Sequence, residues 1–142
     1  MVRTHSFIRF CAVALCAVAA PALAQTAAGP HLVTIKLIER PGDKLPFAFE
    51  PATFSAQKGD TLKFVQYANT IHNVHFKKVP SGAKLGSAMS SPYLAAKGQA
   101  ITMVVDGRFV PGTYEIVCDP HELIGMHAFL TVEGGTAAGT KQ

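Results

Sequence analysis

Short segments in which apolar and polar residues alternate recur along most of this chain, and Gly/Pro-rich turns separate them. In residues 31–39, "HLVTIKLIE", one face carries Val33, Ile35 and Leu37, which is typical of a half-buried strand. Comparable segments occupy residues 47–56, 61–68, 71–79, 99–106, 113–118 and 127–133. Seven or so short strands at this spacing predict an all-β fold, a β-sandwich or a barrel.

One short helix is expected among these strands. In "SSPYLAAKG", residues 90–98, Ser91 is placed as an N-cap, Pro92 at the first helical position and Gly98 just past the end.

The N-terminus has the features of a signal peptide. Arg3 and Arg9 precede or flank an apolar run at residues 10–20, and "ALA" at residues 22–24 fits a small-residue cleavage site before Gln25. The apolar run is too short to span a bilayer comfortably. We therefore expect a signal peptide over residues 1–24, export to the periplasm, and no membrane anchor after cleavage. Residues 25–142 then form a single domain, with a core at about 32–133 and a loose tail at 134–142.

Cleavage changes both the charge and the cysteine content. The net charge falls from +4 to +2, because Arg3 and Arg9 leave and residues 1–24 contain no acid. This small charge gives no reason to expect a nucleic-acid partner. Cys11 and Cys16 leave as well, so Cys118 remains alone. A lone cysteine in an oxidising compartment is a liability unless it is buried or bound to a ligand.

Cys118 begins the most informative motif of the chain. The stretch "VCDPHELIGMHAF", residues 117–129, contains Cys118, His121 and Met126 in the pattern Cys-x2-His-x4-Met. Two predicted strands bracket this loop, so three donor atoms can turn towards one point. A soft thiolate, an imidazole and a weak thioether suit copper, whereas calcium and magnesium prefer oxygen and structural zinc rarely uses a thioether.

A fourth donor is needed, and His72 is the best candidate. It lies in "IHNVHF", residues 71–76, and Asn73 follows it. His75 is the competing residue, but residues three apart in a strand point to opposite faces, so only one of the two histidines faces a metal. We expect His75 to be exposed or hydrogen-bonded. Two histidines and a cysteine with a long axial methionine describe a blue-copper electron-transfer centre.

These motifs resemble those of the cupredoxins, the type 1 blue copper proteins. "IHNVHF" is similar to the first-histidine motif of plastocyanins, and "YEIVCDPHELIGM", residues 114–126, resembles the ligand loop of plastocyanins and pseudoazurins. Weaker strand similarities extend the resemblance over roughly residues 32–133. The resemblance implies an eight-stranded Greek-key sandwich with one copper ion per chain.

The resemblance also implies roles for individual residues. The implied copper ligands are His72, Cys118, His121 and Met126. Asn73 is expected to tether the two ligand-bearing segments, with its backbone amide donating to the Cys118 sulfur and its side chain bonding across the site.

One position departs from the family pattern with a consequence for the copper. Asp119 stands where relatives more often carry a small hydroxyl residue, and an inward-pointing carboxylate there would lower the reduction potential. The port for electrons is expected at His121, where Pro120, Leu123 and Ile124 would form an apolar docking patch.

The sequence therefore predicts an exported, monomeric one-electron carrier that serves redox partner proteins and is not an enzyme. A copper storage or delivery protein is the alternative, although the chain has no Met-rich or His-rich tract. A small nitrite- or oxygen-reducing enzyme is a third hypothesis, but the spare histidines His31, His75 and His127 show no spacing that builds a catalytic site.

Overall fold

The computed structural model describes residues 29–134, so the predicted signal peptide and the residues after Gly134 lie outside the described part of the chain. Eight strands form within it, together with two short 3-10 helices at Gly86–Met89 and Asp119–Ile124. The strands are β1 (Leu32–Glu39), β2 (Phe47–Glu50), β3 (Thr53–Ala56), β4 (Thr61–Gln66), β5 (His75–Lys78), β6 (Ala100–Val104), β7 (Gly112–Val117) and β8 (His127–Val132). Within this range no helix is long and apolar enough to cross a membrane.

The strands build two four-stranded sheets that face each other. One sheet has the order β2-β1-β4-β6 and the other β3-β8-β7-β5. The pairs β1–β4 and β3–β8 are parallel and the remaining pairs are antiparallel. This is the predicted β-sandwich, and the non-sequential strand order is the crossover pattern of a Greek key.

Alternation along the strands places one face of each sheet in the core. On β1 the predicted inward residues Ile35 and Leu37 are fully buried, and Val33 is half-buried. Leu62 and Phe64 of the neighbouring strand β4 pair with Val33 and Ile35 and belong to the same core. Each such side chain contributes about 1.5–3 kcal/mol when it leaves water, so the shared face holds the two sheets together.

A tyrosine fixes the turn before β7. The Tyr114 ring is fully buried, its hydroxyl donates to the Val110 carbonyl at 2.8 Å, and it accepts from the Val110 N–H at the same distance. This bonding holds the chain where it enters the strand that leads to Cys118.

Two segments differ from the prediction. Residues 47–56 form two strands in different sheets, because the chain crosses from one sheet to the other between Glu50 and Thr53. No helix forms at residues 90–98: Leu94 instead exchanges backbone hydrogen bonds with His72 in both directions, at 3.1 and 2.7 Å. Ser91 does not cap a helix either, since its hydroxyl accepts from the Val74 N–H at 2.9 Å. Tertiary pairing therefore overrides the local helix signal.

The strand register decides where the functional segments meet. His75, Val117 and His127 are level with one another in β5, β7 and β8. The segment that precedes β5 and the loop that joins β7 to β8 consequently emerge at the same end of the sandwich.

Candidate metal centre

The loop between β7 and β8 is closed by its own backbone. The Cys118 N–H donates to the Met126 carbonyl at 3.3 Å, and the Met126 N–H donates to the His121 carbonyl at 3.1 Å. Between them the chain forms the 3-10 helix Asp119–Ile124, for which Cys118 is the N-cap residue. With three residues per turn, positions 118 and 121 lie on the same side of such a helix. The spacing Cys-x2-His therefore brings both side chains to one side of the loop.

His72 approaches from the other segment. Its backbone is paired with Leu94, and Asn73 joins it to the cysteine loop. The Asn73 side-chain oxygen accepts from the Asp119 N–H at 2.8 Å, and its Nδ2 donates to an Asp119 carboxylate oxygen at 2.6 Å. Asn73 thus bridges the two segments.

Three donor atoms converge where the segments meet. The Nδ1 atoms of His72 and His121 are 3.0 Å apart, and each is 3.4 Å from the Cys118 sulfur. All three residues are buried, and among residues 29–134 they form the only such cluster of metal-binding side chains. Met126 is fully buried in the same loop.

This arrangement fits a copper ion. The centre of the triangle lies about 2 Å from each donor atom, which is the length of a metal–nitrogen bond. Two imidazoles and a thiolate, with a thioether nearby, form the donor set that favours copper in an electron-transfer site.

Burial controls the protonation of these groups. It lowers the pKa of His72 to about 4, helped by the nearby His121, and it lowers the pKa of His121 as well. Both imidazoles are therefore neutral at pH 7, as metal binding requires. Burial raises the pKa of the Cys118 thiol, although backbone N–H groups of Asn73 and His121 oppose that change. A metal ion must therefore displace the thiol proton when it binds.

An aromatic ring from outside the ligand motifs lies against both imidazoles. Phe47, at the start of β2, stacks on His121 with ring centroids 4.0 Å apart and an interplanar angle of 28°. The same ring meets His72 edge-on, at 5.4 Å and 68°. The sequence showed only an aromatic-rich extended segment there, and only the pairing of β2 with β1 brings Phe47 to this end of the fold.

Asp119 turns towards His75. Its carboxylate lies 2.6 Å from the His75 Nδ1 and accepts from Asn73, and the hydrogen bond with His75 is the main reason that the pKa of Asp119 is lowered. His75 is thus hydrogen-bonded outside the donor cluster, as expected. His127 is also outside it, with Nδ1 3.0 Å from a Glu115 carboxylate oxygen.

The loop presents apolar side chains to solvent beside His121. Leu123 is 98% exposed, and Ile124 and Pro120 are exposed as well. Exposed Leu45 and Ile71 extend the same type of surface on neighbouring segments. His121 itself is 8% exposed, so its ring lies just under this apolar edge.

Comparison with known proteins identifies the family. The sequence-family model that describes the copper-binding proteins of the plastocyanin/azurin family matches residues 37–133. Plastocyanin of Ulva prolifera is 31% identical over 99 residues, which cover 68% of this chain and 98% of that protein. Plastocyanin of Prochlorothrix hollandica is 37% identical over 106 residues, covering 75% and 79%. The structure of oxidised plastocyanin from the fern Dryopteris crassirhizoma superposes with a TM-score of 0.58 at 26% identity, covering 71% of this chain and all of that one. The chain is therefore a cupredoxin, a member of the plastocyanin/azurin family whose cofactor is one copper ion per chain.

Proposed function

We propose that this protein is a type 1 copper electron carrier in which His72, Cys118 and His121 would bind the ion and Met126 would add a weak thioether donor. The observation that carries the proposal is the convergence of two Nδ1 atoms and one sulfur at 3.0–3.4 Å in a buried site. Bound copper supplies a one-electron couple between Cu(I) and Cu(II).

The surrounding residues keep the site stiff. His72 is held by Leu94 and Asn73, while His121 and Met126 are held by the closed loop after β7. Because both segments are anchored to a packed sandwich, we expect the ligands to keep similar positions when copper is oxidised and when it is reduced. Small geometric change between those states favours fast electron transfer.

Burial favours a carrier over a storage or delivery protein. His72, Cys118 and Met126 are fully buried and His121 is only 8% exposed, so an acceptor protein has little access to the proposed ligands. With Met126 as the fourth donor, the proposed ligand set leaves no coordination position on copper for a substrate. We therefore propose that the protein is not an enzyme.

We further propose that electrons pass at the His121 edge, where Pro120, Leu123 and Ile124 contact redox partner proteins. A small apolar patch around a nearly buried imidazole suits the brief contacts of electron-transfer pairs. The N-terminal sequence pattern supports two further parts of the proposal, cleavage after Ala24 and export to the periplasm. We also propose that the protein acts as a monomer.

Optical and electron-spin-resonance spectra of the copper-reconstituted protein test this function. The wild type is expected to be intensely blue or green, from charge transfer between the Cys118 sulfur and Cu(II). Cys118→Ser is expected to lose the band. A copper-loaded wild type with no strong visible absorption would contradict the proposal.

A further inference from the structure

Glu39 lies beside the metal centre. As the last residue of β1 it pairs with Phe47 of β2. Residues paired across strands project to the same face, so the Glu39 side chain is on the face that carries the Phe47 ring towards His72 and His121.

The Glu39 carboxylate binds the segment that leads to His72. One oxygen accepts from the Thr70 N–H at 2.6 Å, and the other lies 3.5 Å from the Asn69 side-chain nitrogen. The Thr70 carbonyl is held in turn, because it accepts from the Gln66 side chain at 2.6 Å. Both polar groups of the Thr70 backbone, two residues before His72, are therefore fixed by side chains from the first sheet.

Glu39 also brings an unneutralised negative charge to this end of the fold. Hydrogen bonds, chiefly from the Thr70 side chain, lower its pKa, so the carboxylate is ionised at pH 7. The neighbouring Arg40 is paired with Glu50 at 3.3 Å, and no ion pair in the described part of the chain includes Glu39. The carboxylate binds the backbone two residues before His72, and Glu39 pairs with Phe47, whose ring stacks on His121, so the charge lies at the metal-binding end of the sandwich.

A nearby negative charge stabilises Cu(II) more than Cu(I), because the Coulomb energy scales with the charge of the ion. We propose that Glu39 is a positioning residue that holds the His72 segment and, through its charge, lowers the reduction potential of the copper site. This inference rests on the electron-carrier function proposed above.

Two substitutions separate the two roles of Glu39. Glu39→Gln keeps the shape and an oxygen that can accept from Thr70 but removes the charge. Glu39→Leu removes both the charge and the oxygen that accepts from Thr70. Glu133→Gln is the matched control, because Glu133 is exposed and follows the far end of β8.

Voltammetry of the copper-loaded proteins tests the charge. The potential is expected to rise in Glu39→Gln and to change much less in Glu133→Gln. Equal potentials in wild type and Glu39→Gln would overturn the tuning role.

Amide hydrogen exchange at Thr70, measured by NMR on the metal-free proteins, tests the positioning. Exchange is expected to be slow in wild type and in Glu39→Gln, and about tenfold faster or more in Glu39→Leu. Unchanged exchange in Glu39→Leu would overturn that role. If the copper-loaded wild type lacked a blue band, the carrier function would fail, whereas the exchange result would still decide whether Glu39 holds the segment.

Discussion

Gly125 controls the last step of the ligand loop, and its substitution gives the sharpest structural prediction. Its φ is +90° at the end of the 3-10 helix, its N–H donates to the Glu122 carbonyl at 3.0 Å, and Met126 follows it. For an L-residue other than glycine, this left-handed conformation costs about 1–2 kcal/mol of free energy. An added Cβ would lie 2.6 Å from Leu45 Cδ2, but Leu45 is 54% exposed and can turn into solvent. Gly125→Ala is therefore expected to lower the free energy of unfolding by about 1–2 kcal/mol, mostly through the backbone.

Urea unfolding of the metal-free protein measures this loss, and Gly42→Ala is the matched control. Gly42 has a φ of +92°, and a Cβ there would meet no atom within 4 Å. Both variants are expected to lose similar stability, but only Gly125→Ala should shift the visible spectrum of the copper form, because only Gly125 precedes a ligand. If Gly125→Ala were as stable as wild type while Gly42→Ala lost stability, the proposed backbone constraint at residue 125 would be refuted.

Three further predictions concern the site itself. Met126→Gln is expected to keep copper but to lower the reduction potential, because an amide oxygen favours Cu(II); an unchanged potential in voltammetry would remove Met126 from the ligand set. Phe47→Leu is expected to lower the free energy of unfolding by about 1 kcal/mol through loss of the ring contacts with His121 and His72, measured in urea; equal stability would show that the stacking contributes nothing. The metal-free protein is expected to lose up to about 3 kcal/mol as the pH falls from 6.5 towards 4, because the folded-state pKa of His72 is about 4 and the unfolded chain takes up that proton first. Urea midpoints that rise as the pH falls through this window would contradict that assignment.

The sequence predicted the parts of the fold that depend on local pattern. Strict alternation at Val33, Ile35 and Leu37 marked the buried face of β1, and the structure confirms it. Cys118 and His121 were recognisable because a short loop with fixed spacing needs no long-range information. The helix expected at residues 90–98 was wrong, since the cap signals there were outweighed by pairing of Leu94 with His72.

Residues that reach the site through sheet register could not be found this way. Phe47 contacts the imidazoles because β2 pairs with β1, and Glu39 reaches the segment before His72 because β1 pairs with β4. Nothing in either local sequence indicates that register. Likewise, the carboxylate of Asp119 could be noted as unusual, but its direction towards His75 depended on the alignment of β5 with β7.

The bridge that Asn73 makes to Asp119 has a consequence for how the protein is assembled. Those hydrogen bonds join the two ligand-bearing segments through protein atoms alone, so we expect the segments to stay together in the metal-free protein. We therefore expect the chain to fold without the ion and to bind copper afterwards. That order distinguishes it from small zinc domains, which collapse when their metal is withdrawn.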